Sequence, residues 1–464
     1  MNAVPSGKVI DDGLYLTQHA IPFCLLVIFQ SVVLIAFANK PINLLFSIVS
    51  LSIFLLVLNN IRYGLYLLIA SLFLDYSVNL GMYLRLFDIT GLFLFISYLL
   101  RRLIGGGTLM NRTPLDKPIL FFAIALGISL INSVDLHIGI ITYLWHIQVL
   151  VLFYVLAGSI QTTEIKNLLV FFLLITVLHS VYNIILFIST NGTIRAMGLA
   201  GVPTDVLTLT ALIICYPLYI YEKQMARKIF VSIIFIILLF GLMATKTRGA
   251  FISFALCFVF TSLISLRKAR KTALRFAIGN IVVLSLCILI SLVVISSLYP
   301  SFLKALSHQV YIVPGVQKID TTQIRFFLWN VALKTFLQNP IFGIGLGQFY
   351  RILVISPELR LNIFSIFMRG LDPHNTVLYY LSQTGLVGLL GFFYLIFSCF
   401  GLLLRKFNES EGVEDIKISA ALIGLLFLVI ASSLYAGEWF YGVGGELLAL
   451  FLAVAVVFKP ISKP

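Results

Sequence analysis

The chain has 464 residues, 60% of them hydrophobic and only 11% charged, with a formal net charge of +14 and a mean hydropathy of +1.07. So little polar surface cannot cover a globule of this size, which excludes a water-soluble domain. The positive charge reads as the topology signal of a membrane protein, and nucleic-acid binding is an unnecessary explanation for it.

Apolar runs long enough to cross about 30 Å of hydrocarbon as helices follow one another along the whole chain. They predict spans near 21–38, 42–58, 62–78, 86–101, 118–133, 138–158, 167–189, 203–221, 228–244, 249–266, 276–298, 376–404, 418–435 and 442–459. Merging close pairs at the start brings about fourteen down to about twelve. The expected fold is therefore all-α, a polytopic transmembrane helix bundle of about 12–14 spans. The N-terminus, with Lys8, Asp11 and Asp12, lacks a small-residue cleavage site, so the first span is expected to stay. Cys24, Cys215, Cys257, Cys287 and Cys399 all fall in apolar runs, where a thiol behaves as a small hydrophobe, so neither a disulfide framework nor a zinc spacing follows.

Basic clusters, RKARKTALR above all, fall on alternate loops, which the positive-inside rule assigns to the cytoplasm together with both termini. Four regions follow: N-terminal helices over 1–190, central helices over 191–298, a large outer loop over 299–373 and C-terminal helices over 374–464. The outer loop is far longer than an ordinary helix connection, and long loops on a rigid scaffold commonly carry function. Within it DTTQIRFFLWNVALKTFLQNP predicts a helix, capped by Asp320, Thr321 or Thr322 and stopped at Asn339-Pro340. GIGLGQF after it is a glycine-rich turn without the Lys-Ser/Thr of a nucleotide-binding loop.

Three arginines stand out on the outer face. Arg248, in LMATKTRGAFISF, lies between two spans joined by almost no loop, with Lys246 adding positive field. Arg325 is in the first turn of the loop helix, where the helix dipole reinforces a positive potential. Arg195, in NGTIRAMGLAGVPTD, belongs to an outer connection short of acids. Converging guanidinium groups would clamp a phosphate, because they bind its oxygens in a bidentate way and keep their charge. For each, snorkelling or backbone capping is the competing role. His374, in GLDPHNTVLYY, precedes a span, where the helix dipole disfavours an imidazolium and leaves the neutral ring that a general base needs. Asp372 and Glu438 are candidate acids to orient it. The outer acids are scattered, so no metal site or cofactor is expected. His146 and His179 fall within spans and read as bundle residues.

TKTRGAFISF, RFFLWNVALKTFLQNPIFGIGLGQF and PHNTVLYYLSQTGLVGLLGFF, in this order around one outer loop, resemble the O-antigen ligase and polysaccharide polymerase superfamily of bacterial envelope membrane proteins. The resemblance covers residues 190–460. It implies a glycosyltransferase in the bacterial inner membrane that moves a glycan from an undecaprenyl diphosphate carrier to a hydroxyl acceptor on the outer side. By the resemblance Arg248 and Arg325 hold the diphosphate, His374 acts at the acceptor, and Arg195 is an additional candidate ligand. The implied partners are the lipid-linked glycan donor, a glycan, lipid A-core or protein acceptor, membrane lipid, and a chain-length regulator as an optional neighbour. A transporter or flippase is the alternative from another class, though the notable charges sit at one face and no internal repeat is found. A scaffolding subunit of an envelope complex is a third reading, under which Arg248, Arg325 and His374 need not converge.

Overall fold

The computed structural model describes residues 51–74, 77–79, 83–105, 108, 110–192, 195–196, 198, 204–268, 321–355, 372–434 and 442–460, with scattered positions between 278 and 320. The predicted span 21–38, and most of 42–58 and 276–298, lie outside these residues. The protein divides into two compact units, residues 1–71 with 75–111, and residues 72–74 with 112–464.

In the first unit, residues 51–59 are helical and lead into α1 (Ile61–Ser71). A short ribbon, β1 (Ser77–Asn79) with β2 (Tyr83–Arg85), then precedes α2 (Leu86–Ile104). α1 packs on α2. Gly64 allows the approach, since a Cβ there would come within 2.8 Å of Leu94 and Val57. The Arg101 guanidinium donates to the carbonyls of Leu58 and Asn59 at 2.9 Å, satisfying the exposed end of the preceding helix.

The second unit holds α3 (Asp116–Ser129), α4 (Leu136–Ser159), α5 (Ile165–Ser189), α6 (Thr204–Ile220), α7 (Met225–Ala244) and α8 (Arg248–Arg267). A second ribbon of two-residue strands, β3 (Val310–Tyr311) and β4 (Ile319–Asp320), precedes α9 (Thr321–Gln338), α10 (Phe349–Ile355), α11 (Thr376–Glu409), α12 (Val413–Ser432) and α13 (Gly442–Val457). The protein is an all-α polytopic bundle, and the two ribbons are too short to form a sheet of their own. Among the described residues six helices are long and apolar enough to cross a membrane: α4, α5, α7, α8, α11 and α12.

Without a hydrophobic driving force between helices in lipid, close packing at small residues holds such a bundle together. Gly424 of α12 is flanked by Thr261 of α8 and Ile213 of α6, and a Cβ there would approach them to 2.7 and 2.8 Å. Phe427 stacks on Phe260 at 3.9 Å across the same α12–α8 contact. Gly241 of α7 meets Ser180 of α5 in the same way. Serine and threonine hydroxyls that would be stranded in hydrocarbon donate to the carbonyl one turn back, as Thr142 to Ile138, Thr176 to Phe172 and Ser262 to Phe258.

Hydrogen bonds fix which helix ends lie together. The Lys406 ammonium donates to the carbonyls of Ala455, Val456 and Phe458, and Lys268 to those of Phe407 and Asn408. The Tyr221 hydroxyl reaches Ser265 O, Thr162 reaches Val457 O, and Lys417 pairs with Glu222 at 3.1 Å. One end of this unit is therefore the basic end. The opposite end gathers the α3–α4 and α7–α8 turns, the start of α6 and the stretch before α11.

α11 is a broken helix. Gly385 has φ +65° and ψ −163°, a conformation in practice reserved for glycine. α11 has 34 residues and α12 has 20, yet they are joined at residues 410–412 and tied again where Thr376 N donates to Ser433 O at 2.8 Å. At 1.5 Å per residue straight helices would differ by roughly 20 Å, so the arm Thr376–Thr384 must turn off the axis at Gly385. Tyr380 accordingly stacks on Phe392 with centroids 5.2 Å apart, although twelve residues of straight helix rise about 18 Å.

The glycine-rich segment 340–347 fills the break. Its Ile344 and Gly345 N–H groups donate to Ser382 O and Gln383 O, while its Pro340 and Ile341 carbonyls accept from Leu386 N and Val387 N. These are the groups that a helix break strands, so one segment satisfies both sides of it. Gly343, Gly345 and Gly347 all have positive φ. The segment is thus a structural plug, in keeping with its lack of nucleotide-binding residues.

Candidate active site

Beyond the arm, the chain enters α11 through a tight turn. Asn375 is the N-cap, its side chain accepting from Leu378 N at 3.0 Å and donating to Leu434 O at 3.1 Å. His374 precedes it with φ +47°, the left-handed region that non-glycine residues rarely occupy. Asp372 holds that conformation. Its Oδ1 accepts the His374 backbone N–H at 2.7 Å and lies 3.2 Å from His374 Nδ1. The histidine side chain stays 34% exposed, enough to meet a ligand.

α9 stands against this turn. Leu328, Val331 and Ala332 form a core with Phe349 and Leu353 of α10, against which Leu378 of the arm packs. Trp329, on the same helix, donates its indole N–H to Pro373 O at 3.0 Å. Arg325 is one turn earlier, so residues i and i+4 place it on the Trp329 face, about 6 Å along the axis.

A second group forms at the α7–α8 turn. Arg248 is the first residue of α8 and Thr247 is its N-cap. The Arg195 guanidinium donates to Thr247 Oγ1 at 2.9 Å, and Ala196 N donates to Ala244 O at 3.1 Å. Arg195 is thereby placed beside Arg248, an approach no local spacing foretells. Lys246, by contrast, is turned inward: it has φ +51°, is only 5% exposed, donates to Gly192 O and lies over the Phe187 ring at 5.7 Å. Burial pulls its ammonium below the ordinary lysine pKa. It shapes the turn, so the open positive field expected of it is not supplied there by Lys246, while Arg195 beside it is exposed.

Both groups occupy the end opposite the basic end. α8 runs parallel to α11 and antiparallel to α12, as the Lys268 bonds and the α8–α12 packing require. Arg248 thus lies at the same end as Ser433, whose carbonyl holds Thr376. Arg248 starts α8 and His374 lies just before α11, where partial positive charge accumulates, whereas Arg325 is the fifth residue of α9 and lies beyond its first turn, not within it as the sequence suggested. Glu438 lies outside the described residues, so Asp372 is the candidate acid seen beside His374. His146 and His179 are buried in α4 and α5, packed on Tyr379 and Phe73 respectively. Among the described residues no three His, Cys, Asp or Glu side chains are grouped closely enough to hold a metal ion.

Sequence reasoning passed over Trp329, and over a clasp formed by Asp135, Gln348 and Arg351. Asp135 caps α4, exchanges backbone hydrogen bonds with the Gln348 amide, and pairs with Arg351. A signal for Trp329 was available, since a tryptophan one turn after Arg325 on a partly buried face needs a partner for its N–H.

The fold defines a multi-pass α-helical membrane protein. Residues 233–393 match the family described as O-antigen ligase, a stretch that contains Arg248, Arg325, Asp372 and His374. The match supports the chain's place in the O-antigen ligase and polymerase superfamily, and ligase- or polymerase-type activity in general. No curated protein matches the chain.

Proposed function

We propose that the protein is a membrane glycosyltransferase, acting as O-antigen ligase or as O-antigen or exopolysaccharide polymerase, with an undecaprenyl-diphosphate-linked glycan as donor. What supports the reading is that Arg248 at the start of α8, Arg325 on α9, which is tied to the turn before α11, and His374 in that turn all fall within the stretch that matches the ligase family. A polyprenyl diphosphate keeps its tail in the bilayer and its anionic head at the interface, the depth at which these helix ends emerge.

In this reading Arg248 and Arg325, with Arg195 beside them, bind the diphosphate. Asp372 fixes the His374 ring with its proton on Nδ1, leaving Nε2 to accept the proton of the acceptor hydroxyl. The acceptor oxygen then bonds to the anomeric carbon as the bond to the diphosphate oxygen breaks. The electron pair leaves with the carrier diphosphate, whose added charge the guanidinium groups stabilise. Displacement on the opposite face inverts the anomeric centre. Neither cofactor nor metal enters the scheme. The basic end, with Lys166, Lys223, Arg227, Lys228, Arg267, Lys268, Arg405 and Lys406, faces the cytoplasm by the positive-inside rule, and His374 faces outward.

The reading is tested by giving purified protein undecaprenyl-diphosphate oligosaccharide in detergent, without metal or nucleotide. Products growing by whole repeat units mean a polymerase, and transfer only when a lipid or protein acceptor is added means a ligase. A donor left intact with every acceptor contradicts the reading.

A further inference from the structure

We infer that Trp329 is a positioning residue for the proposed reaction, its indole N–H setting where the His374 ring stands relative to Arg325. The inference rests on the reading above. The Pro373 carbonyl, which accepts the indole N–H at 3.0 Å, belongs to the peptide that enters His374. The φ of His374 is rotation about the bond next to that peptide plane. Fixing the plane therefore fixes the direction in which the imidazole leaves the backbone, at a residue already held in the uncommon φ +47° conformation.

The other ties on this turn come from elsewhere. Asp372 Oδ1 accepts from His374 N within the turn, while Asn375 and Thr376 are held by the carbonyls of Leu434 and Ser433. The Trp329 bond ties the turn to α9, beside the packing of Leu378 on the α9 core, and α9 carries Arg325 one turn earlier. The helix of the proposed diphosphate-binding arginine and the turn of the proposed proton acceptor thereby share this hydrogen bond. Pro373 is buried, so its carbonyl loses its partner if the indole N–H is removed.

The experiment compares the wild type with Trp329→Phe, and with a variant carrying β-(3-benzothienyl)alanine at position 329, which keeps the shape of the ring and lacks the N–H. Transfer from undecaprenyl-diphosphate oligosaccharide is measured over a range of donor concentrations, beside thermal unfolding in detergent. The expected result is a kcat lower by about tenfold in both variants, with donor KM within about twofold of wild type, because the ring is displaced while Arg325 stays in place. Wild-type kcat in the benzothienyl variant overturns the inference, whatever Trp329→Phe does. So does a loss of kcat and donor affinity in step with lost thermal stability, which is a packing role. His374→Ala active at the wild-type rate removes the underlying reading instead, and so is a separable result.

Discussion

The carboxylate of Asp135 and the guanidinium of Arg351, separated by 216 residues in sequence, meet at 2.5 Å. Through this pair the start of α4 grips α10, and with it the plug that fills the α11 break. Asp135 has a second duty as the α4 N-cap, accepting from Ile138 N at 3.2 Å. Asp135→Ala is therefore expected to cost about 1 kcal/mol or more, the lost cap alone being worth about that. Arg351→Ala, which removes a solvent-screened partner alone, is expected to cost less than Asp135→Ala. Thermal unfolding in detergent micelles checks the order of the two.

Gly385→Ala is expected to destabilise by roughly 3 kcal/mol, because the backbone there is glycine-only and a Cβ would collide with the Ile341 carbonyl. Limited proteolysis should then cut within residues 340–347, whose partners lie on both sides of the break. Gly401→Ala on the same helix has nothing within 4 Å and serves as the control, expected to gain at most about 1 kcal/mol.

Lys406→Met is expected to cost about 2 kcal/mol, since the carbonyls of Ala455, Val456 and Phe458 lose a charged donor at the end of α13. Hydrogen exchange should rise at the C-terminal end of α13 and stay unchanged in α8.

Glu222 gives an expected pH dependence. Its carboxyl is held below the ordinary glutamate value, first by the Gln224 N–H and then by Lys417, which outweigh burial. A depressed carboxyl stabilises the fold above its unfolded pKa and stops doing so as pH falls through its folded one. Melting temperatures of wild type and Glu222→Gln should differ at pH 7 and converge as pH falls below the ordinary glutamate range and through the depressed folded pKa.

Arg325→Ala or Arg248→Ala is expected to lower transfer roughly 10²–10³-fold while membrane insertion is kept. Arg325→Lys should recover only part of the loss, because an ammonium cannot offer two parallel donors to phosphate oxygens. Steady-state transfer from the lipid-linked donor reads both.

Several spans were legible because charges or helix breakers bracket them, but the run at 62–78 was not one helix: α1 ends at Ser71 and Ser77–Asn79 is a strand. Leu136–Ser159 and Ile165–Ser189 fall within two residues of the runs at 138–158 and 167–189. α9 was equally legible, from threonines at its start and Pro340 after its end. The break at Gly385 was not, since TGLVGLLGFF reads as continuous apolar helix and the segment that satisfies it lies some 40 residues earlier. Asp372 beside His374 follows from local spacing. The approach of Arg195 to Thr247, and of Trp329 to Pro373, depends on tertiary packing that no window of sequence contains.

The central claim, that His374 takes the acceptor's proton, is met most directly by single-turnover transfer with purified protein, His374→Ala beside wild type, with donor binding measured in parallel. The account expects unchanged donor binding and transfer slowed by at least about 10²-fold in the variant. Transfer at the wild-type rate in His374→Ala would contradict it.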